Sequence, residues 1–196
     1  GNVYIAHNVT LRNFTCAGRS GDQFLYGNLD GFVMQNVTVK NFGYGLRTRT
    51  RLITGNYDQP EIVNKNWLVE DCVINVATSF QMSEIDGITI KDSVLTSFYP
   101  TSFPVGTYGN HSYYDASEYV EAHIFDDLGG THNIYMSSNC MNVRLSNLIM
   151  GNVTGDAVHK SYAVADDDKA TDSFIRFDKS KNHFYTDLSI NKCNAP

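Results

Sequence analysis

The chain has 196 residues, of which 18% are charged, with a formal net charge of −6 at pH 7. That length supports a single domain with a substantial core. The acidic balance argues against a general nucleic-acid or anionic-membrane binder, while a polyanionic substrate remains compatible with a local basic cluster, and no apolar run approaches the roughly 18 residues of a membrane span.

Asparagine is abundant, whereas Pro is scarce, at 4. With many Val, Ile, Thr, Tyr and Phe residues, this composition suits short strands separated by tight corners, because Asn accepts the left-handed backbone conformation. The fold class read from it is all-β.

Taken in order, the chain repeats itself. The segments Asn8 to Cys16, Gly31 to Val39, Asn66 to Ile74, Gly87 to Leu95 and Asn142 to Met150 fit one template. The template runs Asn or Gly, apolar, any, apolar, polar, Asn or Asp, two variable residues, apolar. The apolar-any-apolar unit predicts a strand with alternate side chains inward. The opening Asn or Gly and the central Asn13, Asn36, Asp71, Asp92 and Asn147 are expected at corners that need a positive φ. The steps from Asn8 to Gly31 and from Asn66 to Gly87 suit one coil each. The longer step from Gly31 to Asn66 suits a coil with an insertion around 48–64. The longest, from Gly87 to Asn142, suits two coils with an insertion or one with a very long loop. A further strand precedes the template at Phe24-Leu25-Tyr26, Phe80-Gln81-Met82 and Ile134-Tyr135-Met136, and the equal spacing of Phe24 to Phe32 and Phe80 to Ile88 predicts that Phe24 and Phe80 share a register.

This strand-Asn-strand pattern resembles the right-handed parallel β-helix of pectate-lyase-like proteins, over most of residues 1–163. The resemblance implies one β-helix domain over 1–196, a solenoid with a long loop insertion at about 98–130 and a C-terminal cap at about 164–196. The chain opens inside the pattern and without Met, so it is read as a piece lacking its N-terminal cap. The rest of a larger chain or a homo-oligomer would then cover that end.

The four cysteines form no C-x-x-C pair, which argues against a zinc knuckle or a thioredoxin-type motif. Cys16 is read as a small buried hydrophobe. A Cys140–Cys193 bridge is an alternative in an oxidising compartment. Sequons occur at Asn8, Asn13, Asn36, Asn110 and Asn152, three of them inside a template that favours Asn and Thr for structural reasons. The run Asp166-Asp167-Asp168 is read as a solvated turn, with calcium the candidate cofactor if it binds a metal.

Function is expected where an outward polar ladder adjoins a long loop. The 98–130 insertion carries Tyr113, Tyr114 and Tyr119 beside Glu118, Glu121, Asp126 and Asp127. Tyr faces with carboxylates suit sugar rings, and the same aromatics equally suit a small satellite core. With Ile134 and Met136 inward, Asn133 and Tyr135 should face outward. His159 follows Tyr135 by close to the length of one coil, so it should lie beside it. The expected ladder is Gln81, Tyr135 and His159, flanked by His132, Lys160 and Glu84, with Arg144 as a further substrate contact.

Thr131-His132-Asn133-Ile134-Tyr135 followed by His159-Lys160-Ser161 also resembles a subset of bacterial right-handed β-helix repeat proteins with T-H-N-[IL]-Y and G-H-x-x-K-S-R-A strands. Here His159 is shifted to directly before Lys160, and Tyr162 stands where the pattern has Arg. The resemblance implies a secreted, cell-surface or virion-surface protein with a polysaccharide partner. The residue types suit a lyase or C5-epimerase, with His159 and Tyr135 as base and acid and Lys160 and His132 neutralising a carboxylate. A glycoside hydrolase would draw on paired carboxylates. A non-catalytic carbohydrate-binding or structural module, such as a tailspike segment or adhesin, is the reading from a different class.

Overall fold

The computed structural model describes residues 5–18, 22–48, 62–76, 78–97, 132–136, 139–152, 173–177 and 185–194. These residues form fourteen strands and no helix: β1 Ala6–His7, β2 Thr10–Ala17, β3 Gln23–Gly27, β4 Leu29–Lys40, β5 Tyr44–Thr48, β6 Asn64–Glu70, β7 Val73–Val76, β8 Thr78–Met82, β9 Ile85–Ser97, β10 His132–Met136, β11 Cys140–Asn152, β12 Ser173–Phe177, β13 Tyr185–Thr186 and β14 Ser189–Asn194. They make two sheets. The larger follows the path β1-β4-β6-β9-β11-β13, with β2, β7 and β14 added; the smaller has the order β12-β10-β8-β5-β3. Strands pair in parallel throughout both sheets.

The five template copies are the ladder of the larger sheet. Thr10 pairs with Val33, Phe32 with Trp67, Trp67 with Ile88, and Ile88 with Val143, so each copy lies directly beside the next in the predicted register. The direct pairing of β9 with β11 makes the long step from Gly87 to Asn142 a single connection between neighbouring copies. The corner positions all have positive φ: Asn8, Gly31, Asn66, Gly87 and Asn142 at the first corner, and Asn13, Asn36, Asp71, Asp92 and Asn147 at the second. An ordinary side chain pays a steric cost there, and Asn, Asp and Gly pay least. The carboxamides also bond along the ladder: Asn36 Nδ2 donates to Asn13 Oδ1 at 2.9 Å and Asn147 Nδ2 to Asp92 Oδ1 at 2.7 Å. The sequons at Asn13 and Asn36 thus coincide with a backbone and hydrogen-bonding requirement for Asn.

A sixth copy completes the series. β14 pairs with β11 so that Ser189 faces Arg144, and Asp187 and Lys192 take the two corners at φ 54° and 52°. The 164–196 region, expected to be a strand or two with a cap, therefore includes another template strand. Asp187 in place of Asn or Gly at the first corner and Lys192 in place of Asn or Asp at the second hide this copy from a template search.

The inward residues of both sheets form one core. Phe32, Met34, Trp67, Val69, Ile88, Ile90, Val143 and Leu145 of the larger sheet pack with Leu46, Phe80, Met82, Ile134 and Met136 of the smaller. Phe32 and Trp67 meet edge to face at 5.1 Å, and the indole N–H of Trp67 donates to the Leu29 carbonyl at 2.9 Å. That bond meets the requirement for a partner that a buried indole carries. Burial is shallower in the first and last copies, where Phe14 and Ile190 occupy core positions yet stay exposed.

All four cysteines are free. The expected alternative, a Cys140–Cys193 bridge, does not form, because Cys193 pairs with Leu148 at the opposite end of β11 from Cys140, beyond the reach of a disulfide. Cys72 and Cys140 are core residues, and Cys16 and Cys193 pack partly buried against the core. Burial raises the thiol pKa of Cys72 and, with the charge of Glu84 adding to it, that of Cys140.

The smaller sheet corrects one register. Leu25 pairs with Leu46, and Leu46 with Phe80, so Leu25 and not Phe24 is level with Phe80. The corner after β3 holds Asn28 alone, whereas that after β8 holds Ser83 and Glu84, and Glu84 takes up the extra residue with φ 53°.

Candidate functional site

The smaller sheet carries a ladder at one register level: Tyr26, Arg47, Gln81, Tyr135 and Arg176 occupy successive strands β3, β5, β8, β10 and β12. Alternation explains the outward row. On β8 and β10, Phe80, Met82, Ile134 and Met136 are buried, while Gln81 and Tyr135 between them are half-buried. Tyr26 is 51% exposed. The guanidinium of Arg47 lies 5.3 Å from the centroid of the Tyr26 ring and 4.8 Å from that of Tyr44, within the range of cation–π attraction. This stacking orients a planar donor fork at the surface, suited to a carboxylate or to vicinal hydroxyls. Gln81 Oε1 is closed off from solvent and accepts no hydrogen bond from the described residues. The row thus sets Arg47 and Gln81 side by side between the aromatic rings of Tyr26 and Tyr135.

The expected ladder is therefore met in part. Gln81 and Tyr135 are neighbours, as predicted. The position on the other side of Tyr135 belongs to Arg176, not His159. Among the described residues, the strand that follows β10 in the smaller sheet is β12, and the chain from His132 to its partner Ser173 is much longer than the single coil assumed in placing His159. His159 and Lys160 lie outside the described residues, as do Tyr113, Tyr114 and Tyr119 with the insertion carboxylates and the Asp166 to Asp168 run. His132 is the first residue of β10, paired with Ser173.

Three other candidates are displaced from this row. Asn133 is not outward; it is fully buried, and its Nδ2 donates to the carbonyls of Leu95 at 3.1 Å and Gly151 at 3.3 Å. It ties the start of β10 to the ends of β9 and β11, a structural use of its amide. Glu84 is 3% exposed and accepts a bond from Asn139 Nδ2 at 3.1 Å inside a corner, so it does not flank the ladder as an open carboxylate. Arg144 is exposed, but on β11 of the larger sheet, at the level of Thr89.

Sequence reasoning missed Arg47, because β5 was not recognised as a strand. The signal was short: Tyr44-Gly45-Leu46-Arg47-Thr48, an alternating unit interrupted by Gly. The glycine is needed, since a Cβ on Gly45 would come within 2.5 Å of the Ser79 carbonyl oxygen.

Among the described residues no group of three or more His, Cys, Asp or Glu side chains is placed to hold a metal, and no helix is long and apolar enough to cross a membrane. No family model, curated protein or solved structure matches this chain.

Proposed function

We propose that the two parallel sheets are faces of one right-handed parallel β-helix, and that the protein engages an extracellular polysaccharide along the row Tyr26, Arg47, Gln81 and Tyr135. The observation that carries this reading is the register: four strands far apart in sequence put two aromatic rings, a stacked guanidinium and an amide on one line. Sugar rings present apolar faces and polar edges, and such a row offers a surface for each. The Arg47 fork favours a polymer with carboxylates, such as a polyuronate. Secretion, or display on a cell or virion surface, follows from that substrate class, and further repeats or further copies of the chain would extend the row.

A second, catalytic reading is favoured by the place of Tyr135, which stands in the row between Gln81 and Arg176. A lyase or C5-epimerase would use Tyr135 as acid and His159 as base, with Lys160 and His132 neutralising the uronate carboxylate. A panel of acidic and neutral polysaccharides, with and without calcium, separates the readings. Retention without cleavage marks a binder, and new ultraviolet-absorbing unsaturated ends mark a lyase. New reducing ends alone mark a hydrolase, and altered uronate NMR signals mark an epimerase. Absence of retention and turnover across the whole panel would refute both.

A further inference from the structure

The larger sheet carries a depression of about 350 Å³ on a different surface from the row just described, lined by Lys65, Asn66, Asp86, Thr89, Asn142 and Arg144 around Gly87. Its origin is a missing side chain. The first-corner ladder runs Asn66, Gly87, Asn142 across β6, β9 and β11, and Gly87, at φ 86°, leaves a gap where its neighbours carry carboxamides. A Cβ there would lie 3.7 Å from Asn66 Oδ1, so that oxygen faces the gap.

The walls are polar and unevenly committed. Asn142 Nδ2 donates to Asp86 Oδ1 at 2.7 Å, and Asn66 Nδ2 donates to Asp30 Oδ1 at 3.1 Å. Lys65 and Arg144 form no ion pair with any described residue. Two strand spacings, about 10 Å, and the corner at Gly87 separate their backbones, with the depression between them. Two cations at opposite rims, unpaired among the described residues, suit an anion, and the carboxylate, hydroxyl and carboxamide groups between them suit a ligand rich in hydroxyls.

We propose that this depression is a binding site for two linked carboxylate-bearing sugar units, with Lys65 and Arg144 each holding one carboxylate and Asn66, Thr89, Asp86 and Asn142 taking up the hydroxyls. The inference rests on the polysaccharide reading for its ligand class, but on different residues. Its strongest test is Gly87→Asn. Asn8, Asn66 and Asn142 occupy the same corner with the same sign of φ, so the variant keeps the backbone while filling the gap.

The measurement is calorimetric titration of the whole chain with digalacturonate, neutral digalactose and sodium sulfate. Digalacturonate is expected to bind at least about tenfold tighter than either control, and Arg144→Ala, Lys65→Ala and Gly87→Asn should each weaken it by about tenfold or more. Gly87→Asn should do so with an unchanged circular dichroism spectrum and a melting temperature lowered by no more than a few degrees. Equal binding of the neutral sugar or of sulfate overturns the proposal, as does full digalacturonate affinity in Gly87→Asn. The Arg47→Ala variant keeps the two ideas apart. Loss of polymer retention in Arg47→Ala with unchanged effects of Gly87→Asn supports both, whereas digalacturonate binding insensitive to Gly87 and Arg144 but lost in Arg47→Ala overturns this site and spares the row on the smaller sheet.

Discussion

Asn147 donates from its side-chain amide to the carboxylate of Asp92 at 2.7 Å, and both residues sit in the left-handed region, at φ 52° and 51°. The pair shows why one residue type recurs: the backbone selects Asn or Asp, and adjacency on the ladder then pairs Asn147 with Asp92 and Asn36 with Asn13. Replacing Asn147 tests the two contributions separately. Asn147→Ala should cost about 1–2 kcal/mol, combining a strained backbone with a lost bond. Asn147→Gly should cost less, since it relieves the strain and loses only the bond. Urea denaturation of the two variants measures this order, and a glycine variant less stable than the alanine variant would contradict it.

The sixth copy carries its own test. Lys192 occupies a corner at φ 52° where the other five copies carry Asn or Asp. Lys192→Asn should raise stability by about 0.5–1 kcal/mol, since Asn is strained less there. Thermal melting should shift upward by a few degrees. A lowered melting temperature would show that Lys192 gains more from its side chain than it loses in its backbone.

Across the larger sheet, Gln35, Glu70 and Lys91 form a polar row: Gln35 donates to Glu70, and Lys91 pairs with Glu70. The hydrogen bond to Glu70, and next its charge, raise the Lys91 pKa above its ordinary 10.5. A raised lysine contributes stability that is complete below the unfolded pKa and lost as pH rises through the folded one. Wild type and Lys91→Met should therefore differ by a constant, small amount through neutral pH, with the difference fading only above about pH 10.5. Lys91 reaches solvent, so the effect should also shrink in high salt. A difference that disappears near neutrality instead would assign the effect to another group.

Thiol reactivity should divide the cysteines into pairs. Cys72 and Cys140 are buried with raised pKa values, while Cys16 and Cys193 are only partly covered. The thiolate is the reactive form, so an aromatic disulfide reagent at mildly alkaline pH should label Cys16 and Cys193 rapidly and the other two only on unfolding. Rapid labelling of all four in the folded protein would contradict the packing around Cys140.

On the candidate site, Arg47→Ala and Tyr135→Ala should each reduce retention on an acidic polysaccharide about tenfold while leaving the melting temperature nearly unchanged. Tyr135→Phe distinguishes stacking from proton transfer: a binder should tolerate it, and a lyase or epimerase should lose turnover. Full retention in Arg47→Ala would remove the row from consideration.

The larger sheet was legible because its corners demand a rare backbone conformation that few residues accept. The corner residues from Asn8 to Asn147 therefore marked the register without ambiguity, and the inward pairs followed by alternation. The smaller sheet had no such marker. Its corners vary in length, with Asn28 alone in one and Ser83 and Glu84 in another, so counting residues from Phe24 and Phe80 misplaced the register by one. The same counting put His159 beside Tyr135, where the chain places Arg176. Arg47 was missed because Gly45 breaks the apolar alternation that identifies a strand. Lys65 and Asp86 lie one residue before the template, and nothing in the pattern marked them as rims of a gap.

The pairing of β9 with β11, from Cys140 opposite Ile85 to Asn152 opposite Ser97, means that the register of these two copies is carried by their own strands and by the bonds of Asn133 to both. A sequence of different length between Ser97 and His132 is therefore expected to leave the pairing of β9 with β11 in register. Preference for a new polymer would then be acquired by grafting at that junction, without redesigning any strand.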